Sequence, residues 1–135
     1  MLKLGENTVI NNYLIDVGTE KGDLIHSAAG WGPFDQSVIS KNIFFVPEKQ
    51  QKFYYRFNPQ DVDVLKDSTI DDNIYYCAKS DSTAQEPFLK ALRGARHDQH
   101  SQYLDPLFRN WRKRDFRLTS NSPAHSLHMQ CWPKR

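Results

Sequence analysis

The sequence predicts an all-β solenoid of short stacked strands, and three observations carry that prediction. The segments 8–15, 38–45 and 69–76 repeat one pattern of β-branched and aromatic residues around an aligned asparagine, at Asn12, Asn42 and Asn73. Their spacings, 30 and 31 residues, fall in the range where self-similarity marks units that stack on one another. Composition agrees, because aromatics reach 13% while all hydrophobic residues together make up only 39%, which suits a thin, strand-lined interior.

Taken in order, strands are expected near 8–15, 23–27, 37–46, 52–57, 68–77 and 116–118, each rich in strand-forming residues and bounded by Gly, Pro, Asp or Ser. An asparagine in mid-segment disfavours a plain strand but tolerates the left-handed backbone, so Asn12, Asn42 and Asn73 are expected to mark sharp corners that stack. The stretches 18–34, 47–66 and 79–101 look like loop-rich insertions. Within the last, Pro87, the apolar Phe88, Leu89 and Leu92, and then Gly94 predict a short helix near 86–93. Pro106 and Pro123 hold the residues before them extended, which argues against helix there.

At 135 residues, one domain is the default. Eighteen basic against sixteen acidic residues leave a net charge of +2, too small to argue for nucleic acid as a partner. The basic excess is local, with Arg109, Arg112, Lys113, Arg114, Arg117, Lys134 and Arg135 all in the last quarter. Cys77 and Cys131 are either buried thiols or one bridge, and do not establish a metal site. No stretch approaches the ~20 apolar residues of a membrane helix, and the first residues do not read as a signal peptide. The compartment is left open, with export expected only if a parent protein carries such a signal.

The run Asp98-Gln99-His100-Ser101, then Asp105-Pro106-Leu107-Phe108, Asp115-Phe116-Arg117-Leu118 and Asn121-Ser122-Pro123-Ala124, resembles the closing segment of right-handed parallel β-helix proteins of the pectate-lyase-like superfamily. The asparagine-centred segments resemble that family's coils. The resemblance implies a right-handed parallel β-helix of about three to four coils over 1–126, closed by 98–126, with an irregular tail at 127–135. In this reading Asn12, Asn42, Asn73, Asp98, His100, Asp105 and Pro106 are structural. The sequence departs from the family pattern at Arg114, where glycine is usual, at Asn121, where aspartate is usual, and after Ala124. Family members begin with further coils and a cap, so this chain is expected to be the C-terminal portion of a longer helix, whose missing N-terminal coils would be its first partner.

The resemblance implies a carbohydrate-active protein, lyase or hydrolase, not catalytic by itself; the alternative is a non-catalytic module that binds glycan or protein. Such chemistry needs a base beside a cationic or metal clamp. His26, Arg93, Arg96 and His97 are the candidate catalytic residues, the arginines to fork a carboxylate and a histidine to take a proton. The other reading of that cluster has Asp98 and His100 pinning a turn while the arginines are solvated. Trp31, in the loop after His26, is a candidate sugar platform or a packed core residue, and Tyr54 and Arg56 project from one face of a strand toward ligand or water. Calcium serves some family members; here Asp61 with Asp63 and Asp67 with Asp71 are weak pairs, and neither a metal nor a cofactor is expected from any motif.

Overall fold

In the computed structural model, residues 8–15, 25–26, 36–47, 54–55, 67–78 and 86–127 can be described, and all that follows refers to them. Each aligned segment divides at its corner into two strands. Thr8–Ile10 (β1) and Tyr13–Ile15 (β2) are followed by Ile25–His26 (β3); Val38–Ser40 (β4) and Ile43–Val46 (β5) by Tyr54–Tyr55 (β6); then come Thr69–Asp71 (β7) and Ile74–Cys77 (β8). The left-handed residue at each corner is the one before the aligned asparagine, since Asn11, Lys41 and Asp72 have φ of 57°, 56° and 56°. This corrects the expectation that Asn12, Asn42 and Asn73 themselves turn the chain. A single left-handed residue suffices for the corner, and the asparagines are committed through their side chains instead.

The strands assemble in parallel sheets. β1, β4 and β7 form one sheet, with Val9, Ile39 and Ile70 in register. A second runs β2, β5, β8 and then Gln102–Tyr103 (β9), with Leu14, Phe44, Tyr75 and Tyr103 in register. β3 and β6 pair through Ile25 with Tyr54 and His26 with Tyr55. The chain therefore visits three sheets in the same order twice, and the first two sheets a third time. The fold is mostly β, in parallel sheets, with one short helix.

The asparagines bind these units along their length. Asn12 N–H donates to Asn42 Oδ1 and Asn42 N–H to Asn73 Oδ1, both at 3.0 Å. The amide nitrogens complete the ladder: Asn42 Nδ2 donates to Val9 O at 2.8 Å and to Asn73 Oδ1 at 3.1 Å, and Asn73 Nδ2 donates to Ile39 O at 2.9 Å. Asn42 and Asn73 are fully buried, so each of these bonds satisfies a group that water cannot reach. Ser101, opposite Asn73 in the parallel register, ends the ladder by accepting Asn73 N–H on its hydroxyl at 2.8 Å.

The second sheet is covered on both faces, and β5 is buried along its whole length. Phe44 and Val46 join Ile39, Ile70, Tyr75 and Cys77 in one apolar cluster, to which the helix Glu86–Gly94 (α1) adds Leu89 and Leu92. Ile43 and Phe45 face the other way, with Ile74, into a cluster closed by Phe108, Trp111, Phe116 and Ala124. Those closing residues come from an antiparallel hairpin, Phe108–Asn110 (β10) and Asp115–Leu118 (β11), and from a 3₁₀ turn at Pro123–His125. Phe45 meets Phe108 edge-on at 5.2 Å and Trp111 at 5.5 Å, and burial of side chains this large is worth roughly 1.5–3 kcal/mol each.

Three further differences from the sequence reading have local causes. β9 and β10 are strands too short to carry a period, so only pairing with neighbours reveals them. Pro123 opens a 3₁₀ turn because its missing N–H and fixed φ suit a first helical position, with Ser122 Oγ accepting Ala124 N–H at 3.2 Å. Gly94 is the last residue of α1 and not the residue beyond it, while Leu92 O accepts the N–H groups of Ala95 at 3.0 Å and His97 at 2.9 Å.

Candidate functional site

The ionisable residues concentrate where α1 returns to the sheets and the ladder ends. Asp98 is fully buried, with φ of 50°, and its N–H donates to Ile70 O of β7 at 2.6 Å. Its carboxylate accepts the Ser101 hydroxyl, Tyr75 Oη at 3.1 and 3.2 Å, and Asn73 Nδ2 at 3.4 Å. Burial raises its pKa to about 6 even though the hydroxyl and amide donors favour the charged form. Asp98 thus gathers donors from Asn73, Tyr75 and Ser101 where the asparagine ladder ends.

Arg93 is not simply solvated: its Nε donates to Asp98 O at 3.3 Å and its terminal nitrogen to Ser101 O at 2.8 Å, tying helix to closing segment. His97 is 6% exposed, and burial pushes its pKa below the ordinary histidine value. Arg96 is exposed at a left-handed position, φ 65°. Arg93 and His97 are therefore engaged in the fold, while Arg96 is exposed.

The exposed chemistry lies one corner away. His100 N–H donates to Asp71 Oδ1 at 2.7 Å, and His100 Nδ1 lies 2.7 Å from Asp71 Oδ2. Asp72 N–H donates to the same Oδ1 at 2.9 Å, so the Asp71 carboxylate is oriented by two backbone donors. Partial burial works against the Asp71 charge, but the His100 imidazole and these backbone donors outweigh it, and its pKa falls below the ordinary value. The hydrogen bond and charge of Asp71 in turn raise the pKa of the solvent-exposed His100. A carboxylate on Nδ1 leaves Nε2 directed to solvent, an arrangement able to exchange a proton or hydrogen-bond a sugar hydroxyl. Asp71, Asp72 and His100 also offer one ligand atom each within 4.8 Å of one another, close enough to share a divalent cation.

Sequence inspection did not bring these three together, because Asp71 and His100 are 29 residues apart. A usable signal did exist. Placing Ser101 in the asparagine column sets His100 in the corner column, beside Asp72.

The other sequence candidates fall as follows. Asp105 Oδ1 accepts Leu107 N–H at 2.8 Å, and buried Pro106 offers its carbonyl to Ser122 Oγ at 2.6 Å, so both shape the turn before the hairpin. His26 and Tyr54 sit on the adjacent strands β3 and β6, where His26 pairs with Tyr55 and Tyr54 with Ile25. Trp31, Arg56, Asp61, Asp63 and Cys131 lie outside the described residues, while Cys77 is buried and its N–H donates to Tyr103 Oη at 3.0 Å.

The hairpin that covers the second sheet carries its own charge. Asn110 Oδ1 accepts Lys113 N–H at 3.3 Å across a 3₁₀ turn, Trp111–Lys113, which Arg114 closes with φ of 59°. Arg117 forks Asp115 with two contacts of 2.7 Å, and this holds the Asp115 carboxyl down at about 2. No protein-family model matches the chain, and neither curated proteins nor solved structures provide a significant match.

Proposed function

We propose that these residues are the closing coils of a carbohydrate-active right-handed parallel β-helix, and that taken alone they bind polysaccharide and do not cleave it. The observation that carries the reading is the in-register parallel pairing of three asparagine-cornered segments, ended by Asp98 and Ser101 of the closing motif. A stack of parallel strands offers an extended, regular surface, which suits a linear polymer better than a small molecule.

Two features favour binding over catalysis. The outer face of the second sheet is filled by Phe108, Trp111 and Ala124 in the described units, so a sugar chain has no groove there. Arg93, His97 and Asp98 are engaged in closing the fold. The Asp71–His100 pair is the exposed acid–base element, and as a solvent-facing corner it suits contact with sugar hydroxyls.

The test is direct. The chain is incubated with uronate-rich and neutral polysaccharides while binding is followed by affinity electrophoresis and cleavage by the ultraviolet absorbance of unsaturated product. Retarded migration without product is expected. Product formation would replace the binding reading with a lyase, and absence of both across the panel, with β circular dichroism intact, would refute the carbohydrate reading.

A further inference from the structure

We propose that the β10–β11 hairpin is a binding surface for anionic glycan, a sugar polymer bearing oxyanion groups. The inference rests on the carbohydrate reading above and adds to the Asp71–His100 corner a second, positively charged contact surface. Residues 109–117 contain Arg109, Arg112, Lys113, Arg114 and Arg117 against the single carboxylate of Asp115, a net +4 within a chain whose total is +2. The remaining residues carry thirteen basic against fifteen acidic groups, a net −2, so the positive potential belongs to this hairpin. All five cations are exposed.

The hairpin is also anchored to the core. Phe108 is 7% exposed and packs on Phe45 and Phe116, and Trp111 packs on Phe45, so the aromatic side is spent on the core and the cationic side faces outward. The Arg112 guanidinium lies 5.0 Å from the Trp111 ring centre, and Arg117 is fixed by Asp115. Arg112, Lys113 and Arg114 meet no carboxylate among the described residues.

Arg114 stands at the tip of the hairpin, one of eight non-glycine residues with a left-handed backbone among those described. It occupies a left-handed position, φ 59° and ψ 26°, which glycine adopts without strain and arginine does not. The turn is closed by backbone, Arg114 N–H to Trp111 O at 3.0 Å, so the fold needs no side chain there. With Arg112 and Lys113 it makes three consecutive cationic donors at the tip. Guanidinium forks match carboxylate and sulfate oxygens.

Nucleic acid is disfavoured as the partner. Single strands are gripped by bases stacked on open aromatic faces, whereas the hairpin's rings are packed inward or lie under Arg112.

The experiment titrates the full chain by calorimetry with dextran sulfate, polygalacturonate, uncharged dextran and a single-stranded oligonucleotide. Both charged glycans are expected to bind, the stronger identifying sulfate or carboxylate as the preferred oxyanion. Combined Arg112→Ala, Lys113→Ala and Arg114→Gly substitution should weaken that binding about tenfold or more and flatten its salt dependence. Arg114→Gly alone serves as the folding control, expected to lose affinity while its melting temperature holds or rises. Equal binding of charged and uncharged glycan, or wild-type affinity in the triple variant, overturns this inference and leaves the carbohydrate reading standing. Binding to no glycan overturns both, and tighter binding of the oligonucleotide than of either charged glycan overturns the choice of partner.

Discussion

Replacing the three aligned asparagines one at a time by alanine should produce a steep gradient of stability. Asn73 is fully buried; its Oδ1 accepts Asn42 N–H at 3.0 Å and Asn42 Nδ2 at 3.1 Å, and its Nδ2 donates to Ile39 O at 2.9 Å. Asn73→Ala leaves the buried Asn42 N–H without its partner and removes one donor each from Ile39 O and Asp98. At about 1–3 kcal/mol for the orphaned N–H and about 1 kcal/mol for each of the other two lost bonds, the loss is about 4 kcal/mol, a large share of the roughly 5–15 kcal/mol that stabilises a domain. Asn42→Ala strands groups at Val9 and Asn12 that water reaches in part, so about 2 kcal/mol is expected. Asn12 is exposed, and its Nδ2 donates only to Ile10 O within its own segment at 2.9 Å and, weakly, to Asn42 Oδ1 at 3.4 Å; Asn12→Ala should cost about 0.5 kcal/mol or less. Equilibrium urea unfolding followed by far-ultraviolet circular dichroism measures all three. Equal losses at Asn12 and Asn73, or a loss below about 1 kcal/mol at Asn73, would refute the view that the ladder holds the units together.

Three further outcomes are expected. Asp98 has a pKa of about 6 in the fold against 3.8 for an aspartate in an unstructured chain, so folding takes up a proton between those values; its destabilising effect is absent below the lower, complete above the higher, and roughly 3 kcal/mol in size. The stability difference between wild type and Asp98→Asn should therefore shift in favour of the variant as pH rises from 4 to 7, about the span of those two values, and a pH-independent difference would contradict the assignment. For His100, the raised pKa means its pairing with Asp71 is intact below the ordinary histidine value and lost as pH climbs through the folded one, whereas the lowered Asp71 value means loss only as pH falls through it; NMR titration should return His100 to the ordinary range in Asp71→Asn, and an unchanged midpoint would break the link. Arg114→Gly should raise stability by about 1 kcal/mol in thermal unfolding by relieving the left-handed residue, and a lower midpoint would show that the arginine side chain supports the turn.

By itself the sequence determined the repeat. Asn12, Asn42 and Asn73, at spacings of 30 and 31, identify three like segments, because a residue type suited to one place in a stacked unit recurs once per unit. The helix at 86–94 was equally legible, since proline, apolar spacing and glycine are local signals read within a single element. Which residue turns each corner was decided by the three-dimensional fold. The left-handed residues Asn11, Lys41 and Asp72 share no side-chain chemistry, and the aligned asparagines are selected for bonds to the neighbouring unit. The covering of the second sheet by the hairpin, and the meeting of Asp71 with His100, were likewise settled only by tertiary structure. Both depend on contacts between segments tens of residues apart, where pairing register fixes what periodicity within one segment cannot express.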